Sequence, residues 1–186
     1  MNHTRVLVLV ASNFNGHELF VTLHHLLEAE FKTTVIALEE IIEDELTAER
    51  LHVHSTVDEF DMATLPEYEA FIASSGAPKW CKQHQNHPKV LSIVDWFVEN
   101  DKILSAYCLS VPVIRAALQG KRTACFPLNA VVDVLTRAGA ILTGNSLETD
   151  GNVVTAETQM STQNSIQEVI RLLRRKSDGP HQDADG

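Results

Sequence analysis

Cysteine, basic charge and long apolar runs are what this chain has least of, and each shortage removes a class of protein. Its three cysteines, Cys81, Cys108 and Cys125, are odd in number and lack metal-site spacing. They fit free thiols in a reducing compartment better than a secreted disulfide framework. Lys and Arg number 15 against 25 Asp and Glu, a formal net charge of −10, so a phosphate backbone would be repelled. The one basic cluster, Arg171, Arg174, Arg175 and Lys176, falls on the last predicted helix, where cations complement the helix C-terminus. The opening apolar run, residues 6–11, is too short for a signal peptide or a membrane span. No internal repeat and no interdomain linker divides the chain. The expectation is a soluble, cytoplasmic protein that binds neither nucleic acid nor membrane.

What is present is the alternation of an α/β protein. With 44% hydrophobic and 22% charged residues, 186 residues suffice for one domain over 1–176 whose core needs no disulfide or metal. Residues 6–11, 33–38, 69–74 and 102–107 read as buried strands, and 122–126 as a fifth. Helices are expected over 17–31, 88–100, from Cys108 toward Gly120, over 129–138, and in a last segment through Leu173. Short strands are expected at 140–142, 146–148 and 153–156, and 51–57 alternates like an exposed strand. Residues 79–87 have no clear period and read as loop, and 177–186 as a polar, disordered tail. Strand, helix and strand within the first ~35 residues imply a parallel βαβ unit. The pattern predicts a three-layer α/β sandwich around a mainly parallel sheet.

The stretch with most chemical content runs from Lys102 to Leu118. It starts as an extended apolar run, ends in a helical pattern, and has Cys108 at the changeover with almost no loop. That is the layout of a strand–Cys–helix nucleophile elbow. A thiolate on the unpaired amides of a helix start would have a lowered pKa. The same stretch also suits a buried structural cysteine. In open parallel sheets ligands bind beyond the carboxyl ends of the strands. Gly16-His17-Glu18, Ser75-Gly76 and Cys108 all fall there. Small residues and Gly76 directly after a strand suit a close backbone approach. The acidic stretch 39–45 has no interleaved histidine and reads as a solvated face, while His52 and His54 would share one face of an exposed strand. No metal and no cofactor is expected.

The order of these motifs resembles the DJ-1/PfpI (ThiJ/PfpI) superfamily, related to the class I glutamine amidotransferase fold, over about residues 5–173. The matching features are Gly16-His17-Glu18 after the first strand, and Ser74-Ser75-Gly76 where the family has Pro-Gly-Gly. Ala106-Tyr107-Cys108, Gly120-Lys121-Arg122-Thr123 and the run from Asp150 to Thr155 follow in the family's order. The resemblance implies a flavodoxin-like sheet, a homodimer, a reactive Cys108, and a protonated Glu18 donating to its sulfur. Backbone amides at Gly76 and Leu109 would receive an oxyanion or an oxidised sulfur. The departures narrow the chemistry. Protease-like members follow the cysteine with histidine as base, and here Leu109 cannot take a proton. Phe126 precedes Pro127 where glyoxalase-type members have histidine, and Thr158-Gln159-Met160 replaces Gly-Pro-Gly. His17, His84 and His87 are the possible accessory bases. Cys81 is either a resolving thiol or a chance surface neighbour, and Cys125 is expected to pack in the sheet.

Three readings stand. In the first, Cys108 is a low-pKa thiolate with a redox or stress-related role, helped by Glu18 and open to an oxidant. In the second, Cys108 attacks a carbonyl-type carbon of a small molecule, as in an aldehyde- or amide-directed enzyme. Whether there is turnover is left open by the missing histidine. In the third, the chain is a non-catalytic, dimeric scaffold.

Overall fold

A computed structural model describes residues 4–177. Its centre is a seven-stranded sheet built from strands β1 (Arg5–Val10), β2 (Lys32–Ala37), β5 (Ser55–Thr56), β6 (Tyr68–Ser74), β7 (Ile103–Tyr107), β10 (Leu147–Asp150) and β11 (Val153–Ala156). The spatial order is β10-β11-β7-β6-β1-β2-β5, and every neighbouring pair is parallel except β10 with β11. The two-residue period of a strand sends successive side chains to opposite faces. Leu7 and Leu9 of β1 therefore join Phe71, Leu104 and Ala106 in one core, and Val6, Val8 and Val10 join Ile72, Ile103 and Val154 in the other. The central strands are apolar at almost every position because both of their faces are covered.

Helices α1 (Gly16–Glu28) and α5 (Thr162–Ser177) cover the second face, through Leu19, Leu26, Ile166, Val169 and Leu173. Helices α3 (Pro88–Glu99) and α4 (Asn129–Arg137) cover the first, through Val90, Ile93, Phe97, Val131 and Leu135. The result is the three-layer sandwich expected from the alternation, with a flavodoxin-like parallel sheet.

Several local expectations give way. Residues 79–87 contain a helix, α2 (Pro78–His84), started by proline in its first turn, with Cys81 and His84 on one buried face. Its shortness hid the period. The strand expected over 122–126 stops after β8 (Arg122–Thr123), which pairs with β9 (Ile141–Leu142) away from the main sheet. The Ala124 amide instead donates to the Thr155 hydroxyl at 2.9 Å, so no ladder continues. Cys125 accordingly packs on the core from irregular chain and not from within the sheet. The exposed strand expected over 51–57 is split into β4 (Arg50–His52), paired with β3 (Ile41–Glu43), and β5. Between them the Val35 amide donates to His54 Nδ1 at 3.0 Å, so His54 serves as a clamp on β2 and shares no strand with His52. The acidic stretch is not wholly solvated either. Asp44 is buried and accepts from the amides of Leu46 (2.8 Å) and Thr47 (2.7 Å), bonds that hold its carboxyl below the usual range. Ser177, expected in the tail, ends α5, and residues 178–186 of that tail lie outside the described residues.

Candidate functional site: a buried carboxyl beside an elbow cysteine

Glu18 is placed by the start of α1. The Asn15 side chain caps the helix by accepting from the Glu18 amide at 3.1 Å, which puts Glu18 three residues into it. A carboxylate there ordinarily turns back on the cap. Here it reaches across to the end of β6. Glu18 Oε1 accepts from the Ser75 amide (2.5 Å) and the Ser74 hydroxyl (3.1 Å), and Oε2 accepts from the Ser75 hydroxyl (2.8 Å). The residue is 1% exposed. Burial raises the carboxyl pKa above its ordinary 4.5, and the serine bonds oppose that rise without cancelling it.

Cys108 follows β7 directly at φ 49, in the left-handed region that a side chain enters at a cost. This is the sharp turn expected of an elbow. The parallel register pairs Ala73 with Ala106 near the ends of β6 and β7, so Ser75 and Cys108 each follow two residues beyond that pair, at the same edge of the sheet. The Leu109 amide and, to a lesser degree, the Ser75 hydroxyl favour the anionic form of the sulfur. The segment after the cysteine is a 3-10 helix, Cys108–Ala117, interrupted at Ile114 and containing Pro112. Ser110 to Ile114 are all buried, so the run follows no amphipathic α-helical stripe.

The expectation of a lowered thiol pKa is therefore corrected. Burial, followed by the Glu18 charge, pushes the Cys108 thiol up to about 12. Glu18 and Cys108 lie in one poorly solvated place, where burial makes each resist ionisation and a charged Glu18 adds to the resistance of the thiol. A proton on Glu18 removes the second largest cause. The sulfur becomes an anion most readily when the carboxyl is neutral.

The close backbone approach expected at Gly76 is met by the chain itself. A methyl group on Gly76 would lie 2.7 Å from the Asn13 carbonyl oxygen and 3.0 Å from that of Ser12. The Ala77 amide donates to Asn13 and the Ser75 carbonyl accepts from Asn15, a short antiparallel bridge around Phe14 and Gly76. Those bonds leave the Gly76 amide outside the bridge.

Among the described residues none of the three histidines hydrogen-bonds the thiol. His17 is exposed beside Glu18. His84 is 1% exposed, and neither of its ring nitrogens has a partner. Desolvation, with His87 second, lowers its pKa to about 4. His87 lies against Asp58, Nε2 to Oδ1 3.5 Å. Cys81 is not at the surface. Its thiol donates to the Gly76 carbonyl at 3.4 Å, and the Ser110 hydroxyl lies 3.5 Å from its sulfur. Sequence reasoning placed Ser74-Ser75 at this edge but missed the role of their hydroxyls, which hold the carboxyl. Hydroxyl-bearing residues where Pro-Gly-Gly was the pattern were the available signal. Among the described residues no group of three or more His, Cys, Asp or Glu is arranged to hold a metal ion, and no helix is long and apolar enough to cross a membrane.

A parallel flavodoxin-like sheet with a strained cysteine at its carboxyl edge and a buried glutamate beside it defines a class of α/β protein. The chain belongs to the DJ-1/PfpI family, whose model matches residues 4–172. It is similar to the ThiJ/PfpI domain protein of Brachyspira murdochii (19% identity, TM-score 0.80, covering 93% of this chain and 97% of that one). It is also similar to DJ-1 of Schizosaccharomyces pombe (15% identity, TM-score 0.80, 94% of each). Both likenesses concern the fold. An uncharacterized protein of Methanocaldococcus jannaschii is 30% identical over 95 residues, 50% of this chain. The match spans about half of that protein's length, 46%.

Proposed function

We propose that the protein is an oxidant-responsive thiol protein in which Cys108 reacts and Glu18 governs when it can. The observation that carries the reading is the buried Glu18 carboxyl, raised in pKa and one serine away from the elbow sulfur. With hydrogen peroxide as oxidant the step balances. The thiolate sulfur attacks one peroxide oxygen, the O–O bond breaks, and the departing hydroxide takes the Glu18 proton as water. Cys108 is left as the sulfenic acid beside an ionised Glu18. Further oxidation gives a sulfinate, for which the Leu109 and Gly76 amides are donors. The missing histidine base argues for this chemistry over peptide or amide hydrolysis, which needs a proton shuttled to a leaving amine.

The working unit is a homodimer of a cytoplasmic protein, with a small oxidant or other small molecule meeting Cys108. Phe20 (45% exposed) and Leu27 (74% exposed) on α1 favour self-association. The test is limited peroxide treatment followed by peptide mass analysis. Oxygen is expected on Cys108 ahead of Cys125, and the preference should be lost in Glu18→Ala. Equal oxidation of the two cysteines sinks the reading. Turnover of a dicarbonyl such as methylglyoxal that disappears in Cys108→Ala puts an enzyme in its place.

A further inference from the structure

Glu18 acts on Cys108, yet the bonds to the glutamate oxygens come from Ser74 and Ser75. Oε1 is taken by the Ser75 amide and the Ser74 hydroxyl, while Oε2 is met by the Ser75 hydroxyl alone. Ser75 is itself 4% exposed, so water does not compete for that hydroxyl. The same residue and Cys108 each follow two positions after the paired Ala73 and Ala106, and the Ser75 side chain favours the anionic sulfur.

We propose that Ser75 is the proton relay between the Cys108 sulfur and Glu18 Oε2, a positioning residue that lets the thiol ionise without placing two charges in the site. The proposal rests on the thiol reading above. In the relay the Cys108 S–H bond breaks as its proton passes to Ser75 Oγ, and the Ser75 O–H bond breaks as that proton passes to Glu18 Oε2. Serine is regenerated. The net change is a thiol and a carboxylate becoming a thiolate and a carboxylic acid, with one negative charge before and after. A direct loss of the thiol proton to solvent would instead put two anions side by side in a desolvated pocket, which burial opposes. In the product the bonds reverse direction: Glu18 donates to Ser75 Oγ, and Ser75 donates to the sulfur. Ser74 bonds only Oε1 and holds the carboxyl in plane without taking part. Its position on the sheet faces β1 at Val10 and is one residue short of the elbow.

The test measures the alkylation rate of Cys108 by iodoacetamide in the full chain, followed by peptide mass analysis from mildly acidic to alkaline pH. Ser75→Ala is expected to move the rate profile to higher pH by about one unit, so that the rate at neutral pH falls about tenfold. The matched pair Ser75→Thr and Ser75→Val removes shape from the comparison, because threonine keeps the hydroxyl and valine does not. Threonine should restore the wild-type profile and valine should not. In a Glu18→Gln background, where no carboxylate can take the proton, Ser75→Ala should add nothing. Coincident profiles for Ser75→Thr and Ser75→Val, or an undiminished Ser75→Ala effect in Glu18→Gln, overturn the relay. If Cys108 reacts faster than Cys125 in a Glu18-dependent way and Ser75 is irrelevant, only the relay fails. If Cys108 reacts no faster than Cys125 in the wild type, the thiol reading fails and the relay with it.

Discussion

His84 is a buried imidazole with no hydrogen-bond partner on either nitrogen, and its titration contributes to how the protein responds to acid. The ordinary pKa of 6.5 belongs to the unfolded chain, and the folded value is about 4. A group with a depressed folded pKa, when it is a base, leaves the folded state with fewer bound protons than the unfolded state. Stability is therefore intact above about pH 6.5 and falls as pH drops toward 4. At pH 5 the unfolded imidazole is protonated about thirty to one and the folded one about one to ten, a combined factor of about thirty. At 1.36 kcal/mol per decade this is about 2 kcal/mol, against about 0.2 at pH 7. His84→Leu preserves apolar volume and cannot be protonated. Urea unfolding of wild type and variant at pH 7 and pH 5 isolates the residue, since every other titrating group is common to both. The wild type should lose about 2 kcal/mol more than the variant over that interval. Parallel losses would mean that His84 is hydrated or hydrogen-bonded in the folded protein, and the reasoning would be refuted.

Gly76→Ala should destabilise by about 1–3 kcal/mol in thermal or urea unfolding, because the new methyl meets backbone oxygens that cannot swing aside. An unchanged midpoint would show that the β1 and β6 loops are not locked together. Glu18→Ala leaves the Ser75 amide and the Ser74 and Ser75 hydroxyls facing a buried gap and should cost about 2–4 kcal/mol. Glu18→Gln keeps an acceptor and should cost much less. The pH sense is also fixed. The folded Glu18 pKa is raised, so its contribution is full below its ordinary 4.5 and fades as pH climbs through the raised value. Glu18→Gln should gain on the wild type as pH increases, and a variant that instead falls further behind the wild type with rising pH would contradict the burial argument.

The sheet and its helices were legible because buried parallel strands announce themselves as largely apolar runs, and 6–11, 69–74 and 102–107 did so. The carboxyl-edge rule then placed Glu18, Ser75 and Cys108 together without coordinates. What stayed hidden depended on contacts distant in sequence. Nothing local indicates that the Ala124 amide will choose the Thr155 hydroxyl over a strand partner, or that His54 will cap the Val35 amide. The 3-10 winding after Cys108 escaped because its Val, Pro and Ile residues satisfy a helical reading while being buried all round. The thiol pKa was misjudged for a related reason. An α-helix start was expected to stabilise the anion, whereas the burial that opposes it is a tertiary property.

A site that tolerates one negative charge also has a spectroscopic consequence. A sulfinate at Cys108 would be a lasting anion, so Glu18 would have to hold its proton for as long as the oxygens remain on the sulfur. The carboxyl stretch of a protonated glutamate absorbs apart from that of a carboxylate. An infrared difference between wild type and Glu18→Gln would then report the oxidation state of an atom that the probe never touches.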